Sequence, residues 1–274
     1  MRITVEAMRG PGDPEDRLQS SPNAPKPAHE HSMHTTDTHL SNLALTAALQ
    51  LVGFAPLELL SGGRYGAAYA GSFLGRGAVG KVDANEQPSA AFAAAVRLAD
   101  AGLAPAVLFA DPVSRILVTE RVVPGISALT VQPCPRALGH LLARLQFLPP
   151  TPAAPPLHDF LRARLTMDPG ADVALSSRET TATELREART LLAVLPDVSA
   201  TVHGDCSRGN ILQGAGRMWL VDARGLNGDW HFDVAVAGWK CRYDREQLGL
   251  LADVTGANRE LVTAYGTIAR AARL

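Results

Sequence analysis

Val202-His203-Gly204-Asp205-Cys206-Ser207-Arg208-Gly209-Asn210-Ile211-Leu212 places an aspartate five residues ahead of an asparagine, on a polar, glycine-containing link between two apolar runs. Twelve residues beyond Asn210, Asp222 closes another apolar run, Trp219-Leu220-Val221. Short apolar runs bounded by turn residues read as strands, so each of these oxygen-bearing side chains sits near a strand end. Two carboxylates and one amide held this way suit a divalent cation beside a reacting hydroxyl. Asparagine and aspartate oxygens are hard ligands for magnesium, which takes few protein ligands and leaves room for phosphate oxygens. The remaining carboxylate can orient a hydroxyl and accept its proton.

Upstream of this segment the pattern is β-rich. Thr38 can cap a helix carrying Leu43, Leu45, Ala48 and Leu51 and ending near Gly53. Glycine-broken runs at Leu57–Leu60, Ala67–Phe73 and Ala78–Val82 follow. Then come an alanine-rich helix from about Pro88 to Ala101 and two more runs, Ala106–Ala110 and Ile116–Thr119. Together they predict a sheet of about five strands. Lys81 lies inside one of these runs, in Val79-Gly80-Lys81-Val82, and is one of only three lysines among 26 basic residues. Arginine fills the other basic positions, so a lysine kept mid-strand points to a job for its compact charge. Gly62 and Gly63 are either plain hairpin glycines or a place where backbone approaches a ligand closely.

Beyond the Pro124–Gly125 turn the pattern is mostly helical. Pro135 opens a helix whose stripe, Leu138, Leu141, Leu142, Leu145 and Leu148, is amphipathic. Further helices are predicted over Leu157–Leu165, Glu179–Leu195, Trp230–Arg242 and Arg259–Ala272, with Pro149–Pro156 as a loop. Three short strands, Ala200–Val202, Ile211–Gln213 and Met218–Val221, interrupt them. The expected organisation is a disordered tail at 1–37, a β-rich lobe at 38–122 and a helical lobe at 123–274. The tail holds five prolines and few large aliphatic residues, so it buries too little surface to order itself. Its histidines, His29, His31 and His34, lack a scaffold to fix metal geometry.

The ordered set of His203-Gly204-Asp205, Asn210, the strand-end Leu220-Val221-Asp222 and Gly228-Asp229 followed by Asp233 resembles the aminoglycoside phosphotransferase and choline-kinase-like small-molecule kinases. The run Trp219 to Asp229 looks closest to the streptomycin and hydroxyurea kinase branch. Thr119-Glu120-Arg121 before Pro124-Gly125, and the leucine-rich helix, also match, so the resemblance covers about residues 40–270. It implies an α+β, protein-kinase-like fold with a small β-rich lobe and a larger helical one. It also implies ATP and Mg2+ as cofactors and an O-phosphotransferase acting on a small hydroxylated molecule, such as an antibiotic.

On that resemblance Asp205 positions the acceptor hydroxyl and takes its proton, while Asn210 and Asp222 hold magnesium. Lys81 holds the α- and β-phosphates, Gly62 and Gly63 admit the nucleotide, and backbone around Glu120–Val122 bonds adenine. Asp233 and His203 brace the catalytic loop. The helix after Lys81 carries no acid over Ala91–Val96, which leaves Glu86, just upstream, as the lysine's expected partner. Two other positions differ from the family's pattern: Trp230 stands where proline is usual, and Cys206-Ser207-Arg208 where Leu or Phe then His-Pro is common. Two other readings stay open, a catalytically weak nucleotide-binding module and a magnesium-dependent phosphatase with Asp205 as nucleophile.

Composition narrows the partners. The 274 residues are 46% hydrophobic and 19% charged, enough for a sizeable core. Twenty-six basic against 27 acidic residues argue against a general nucleic-acid binder. Residues 135–200 hold seven acids and seven arginines, which gives no support to a strongly cationic substrate. Arg2, Glu6 and Arg9 break any secretory signal, and Thr46, Gln50, Pro56 and Glu58 break the longest apolar stretch as a membrane span. Cys134, Cys206 and Cys241 form no CxxC pair, as in a reduced cytoplasmic protein.

Overall fold

Alternation decides the first half of the chain. A computed structural model describes residues 44–63, 66–83, 88–123, 126–127, 130–166, 180–196, 198–214 and 216–274. The expectations for residues 1–37, Glu86 and Pro124–Gly125 lie outside the described residues. After a helix over residues 44–51 (α1) come β1 (Phe54–Gly63), β2 (Gly66–Phe73), β3 (Arg76–Asp83), α2 (Pro88–Asp100), β4 (Val107–Asp111) and β5 (Ile116–Glu120). The five strands pair antiparallel in the order β1-β2-β3-β5-β4, with Lys81 opposite Ala68 on one side and Leu117 on the other.

Period-two alternation splits β3 and β5 between two faces. Ala78, Val82, Ile116 and Val118 join Leu49 of α1 and Phe54 in a small buried cluster. Val79, Lys81, Asp83, Leu117 and Thr119 instead line an interlobe cavity, closed from the side by Ala91, Phe92 and Ala95 of α2.

The second half is built on helices. They are α3 (Pro135–Leu142), α4 (Leu157–Thr166), α5 (Ala182–Val194), α6 (His231–Lys240), α7 (Arg245–Thr255) and α8 (Arg259–Ala271). Leu138, Leu142 and Leu145 are fully buried and pack with Leu157, Leu161, Phe232, Tyr265 and Ile268. Each such burial removes enough apolar surface to be worth about 1.5–3 kcal/mol. The short strands are β6 (Ile126–Ser127), β7 (Ala200–Val202), β8 (Ile211–Gly214), β9 (Arg217–Leu220) and β10 (Leu226–Gly228). They pair as β6-β8-β9 and β10-β7.

Three expectations are corrected. The leucine stripe is not one α-helix: α3 ends at Leu142 and Leu145–Phe147 forms a separate 3-10 turn, with Leu145 still fully buried. Helix α5 starts at Ala182, because Thr181 and Glu184 form a capping box there. Helix α7 was not expected at all, although Asp244 and Gln247 form a second capping box and Gly256, at φ +71°, ends it. Among the described residues, no helix is long and apolar enough to cross a membrane.

Candidate active site

The loop from Val202 to Leu212 leaves β7, passes through a 3-10 turn at Arg208–Asn210 and enters β8. Its buried side rests on Asp233, in the first turn of α6. The His203 and Gly204 backbone N–H groups donate to the two Asp233 carboxylate oxygens at 2.7 and 2.9 Å. The Cys206 thiol donates to the same carboxylate, and burial pushes that thiol well above its ordinary range. Burial also raises the Asp233 carboxyl, against the backbone N–H donors of Gly204 and His203 and the Cys206 thiol that pull it down.

His203 is fully buried. Its Nε2 pairs with the Val221 carbonyl at 2.8 Å, and its Nδ1 accepts the Asp205 N–H at 3.2 Å. That pattern assigns the proton to Nε2. The ring therefore ties the residue before Asp222 to the backbone of Asp205. His203, Cys206 and Asp233 also lie close enough to resemble a metal cluster, but their polar atoms are committed to this hydrogen-bond network.

The cavity side is arranged differently. The Asn210 amide nitrogen donates to the Asp205 carbonyl at 3.0 Å, leaving its side-chain oxygen as the atom available to a ligand. Val221 N–H donates to the Asn210 carbonyl at 2.9 Å, which joins the two segments carrying Asn210 and Asp222. Asp222 holds φ +64°. For a residue with a β-carbon that costs about 1–2 kcal/mol. Its carboxylate forms an ion pair with Lys81.

Gly225, at φ +72°, lets the chain turn away: a β-carbon there would sit 2.3 Å from the backbone of Ala90 on α2. Arg224, between them, pairs with Asp205 at 3.0 Å and faces the Phe160 ring at 5.6 Å.

Lys81, Asn210, Asp222, Glu120 and Val122 all line one cavity of about 440 Å3, whose other walls are largely apolar. Asp205, Asp233 and His203 are not among the residues that line it. Gly62 and Gly63 end β1, paired with Ala67 and Gly66 of β2. Sequence reasoning missed two partners. Asp83 is buried and its Oδ2 lies 3.8 Å from Lys81 Nζ; the two-residue spacing on one strand was its signal. Arg224 had no role assigned, and nothing in spacing alone links it to Asp205, 19 residues away.

No family model matches the chain, and no curated protein does either. Solved structures do. A choline/ethanolamine kinase family protein from Mesorhizobium loti matches with TM-score 0.65 and 22% identity, over 86% of this chain and 83% of that one. The choline kinase LicA from Streptococcus pneumoniae matches with TM-score 0.65 and 14% identity, over 86% and 88%. The spectinomycin phosphotransferase APH(9)-Ia, solved with ADP and spectinomycin, matches with TM-score 0.52 and 14% identity, over 83% and 84%. The chain has the two-lobed, kinase-like α+β fold of these proteins.

Proposed function

We propose that the protein is an ATP-dependent phosphotransferase that phosphorylates a hydroxyl of a small molecule, with the lobes bounded near residues 38–122 and 123–274. The observation that carries this reading is the meeting of Lys81, Asn210 and Asp222 in one apolar-walled cavity, although they come from β3, the turn before β8 and the segment just after β9. Lys81 meets the α- and β-phosphates, the glycines at the end of β1 cover them, and the backbone of Glu120–Val122 borders adenine. Nucleotides accompany several solved neighbours: AMP with LicA, and ADP or AMP-PNP with hygromycin B in APH(4)-Ia.

The donor set fits magnesium. Asn210 Oδ1 and the Asp222 carboxylate would hold it, and it would neutralise phosphate charge. Asp205 orients the acceptor hydroxyl and takes its proton as the acceptor oxygen bonds the γ-phosphorus. The bond from that phosphorus to the β–γ bridging oxygen breaks, and ADP leaves with the electron pair. Asp233 and His203 keep Asp205 in place through the loop backbone. A hydroxylated antibiotic is one acceptor class, as for the neighbours solved with hygromycin B and spectinomycin.

The rival is a kinase-like binding module without transfer. It is favoured by the α2 wall of the cavity, where Ala91, Phe92 and Ala95 offer Lys81 no carboxylate. Calorimetry with AMP-PNP, with and without magnesium, and mass spectrometry of an acceptor panel incubated with ATP separate the two. Binding with transfer supports the enzyme, binding without any transfer supports the module, and no nucleotide binding refutes both.

A further inference from the structure

A second cavity, of about 750 Å3, is lined by Ser207, Arg208 and Gly209 of the same loop. Gly209 lines both cavities, so this second volume adjoins the first at the loop that carries Asp205. Its lining holds four cations: Arg208 from the loop, Lys240 at the end of α6, Arg242 just beyond, and Arg270 from α8. Among the described residues, no aspartate or glutamate lines it. Trp239 and Tyr243 supply aromatic wall. Lys240 links the cavity to the catalytic carboxylate: burial lowers its ammonium pKa, Asp205 raises it and Arg224 lowers it.

Cations at helix C-termini often serve only to offset the helix dipole, and Lys240 and Arg270 both sit in last turns. Among the described residues, neither side chain hydrogen-bonds a carbonyl of its own last turn. Lys240 Nζ lies 4.3 Å from the centre of the Trp239 ring. Arg270 Nη2 donates to the Thr267 hydroxyl at 3.3 Å. Among the described residues, no carboxylate lies within ion-pair distance of Lys240, Arg242 or Arg270. Arg242 is the most telling. It holds φ +57°, at a helix exit where glycine or asparagine is the usual residue. The chain accepts that strain and keeps a guanidinium in the cavity lining.

We propose that this cavity receives the acceptor, and that the acceptor carries an oxyanion, a phosphate or carboxylate, besides the hydroxyl it presents to Asp205. Arginine forks match both groups bidentately, and converging like charges concentrate anions in a cleft. A polycationic aminoglycoside would instead meet four like charges. The proposal takes its reaction from the phosphotransferase reading, but anion binding by the cavity is independent of that reading.

The test uses the full chain. Inorganic phosphate and acetate are titrated into labelled protein, following the Trp239 indole and arginine side-chain signals by NMR. Saturable shifts are expected with wild type, and phosphate against acetate tells which oxyanion is preferred. Arg242→Gln with Arg270→Gln should weaken binding about 10-fold or more, as for charge-assisted pairs, while AMP-PNP affinity stays within about twofold because neither residue lines the nucleotide cavity. In turnover, D-ribose 5-phosphate should outperform D-ribose, and hygromycin B should be poorest. Absence of anion-induced shifts, an unaffected double variant, or preference for hygromycin B overturns the proposal. If AMP-PNP binds and the anions do not, this inference fails and the phosphotransferase reading stands. If the anions bind and AMP-PNP does not, the phosphotransferase reading fails, and with it the acceptor role, while the anion site stands.

Discussion

The buried side of the Val202–Leu212 segment and its cavity side each meet an aspartate from elsewhere in the chain, and treat it oppositely. Asp233 is fully buried and spends its charge on two backbone N–H groups and a thiol. Asp222 has a half-exposed side chain, a left-handed backbone and one lysine partner. A buried carboxylate stripped of water must be satisfied by fixed donors. A half-exposed one keeps its hydration and stays free to exchange its partner for a ligand. The same side chain thus becomes a structural post on one side and a ligand-facing group on the other.

Four variants test that contrast. The largest expected effect belongs to Asp205→Asn, on the loop itself: about 10²–10⁴-fold slower transfer, because an amide cannot accept the hydroxyl proton. Nucleotide affinity and melting temperature should stay near wild type; a parallel loss of AMP-PNP binding in calorimetry would move Asp205 into the nucleotide site.

Asp233→Ala should follow, costing about 3–5 kcal/mol in urea unfolding, because it strands buried donors. Asp222→Ala should cost less than about 1 kcal/mol, as expected of a half-exposed ion pair. Equal losses would erase the contrast.

Asp222→Asn should weaken magnesium-dependent AMP-PNP binding about 10- to 100-fold, the worth of a charged contact, with little change when magnesium is omitted. Weakening that is the same with and without the metal would take Asp222 off the metal.

The smallest effect is chemical. Burial holds Cys241 at about 11 and Cys206 well above its ordinary value, so both thiols stay protonated at pH 9. Cys134 is exposed. Brief iodoacetamide treatment at pH 9 should therefore label Cys134 alone by peptide mass spectrometry. Labelling of Cys206 should appear once Asp233→Ala opens the loop.

Much of this was legible from residues alone, because strand and helix periodicities are local. The five-strand sheet, the alanine-rich α2 and the order Lys81, Asp205, Asn210, Asp222 follow from spacings within a few residues. Helix α7 was equally local: its capping box at Asp244 and Gln247 was legible, but lay between two stronger apolar patterns. The split of the leucine stripe after Leu142 was not legible, since every leucine stays on a plausible helical face whether or not the axis breaks.

The sequence by itself determined which side chains stand at strand ends and loop positions, including the mid-strand lysine and the two aspartates that flank Asn210. Only the tertiary structure decided what each one faces. It set Lys81 against Asp222, 141 residues away, added Asp83 beneath it, and put Arg224 on Asp205. It also gathered Arg208, Lys240, Arg242 and Arg270 around one cavity from a loop and two helices. Charge acts through space rather than along the chain, so a net charge of -1 conceals a site lined by four cations until packing brings them together.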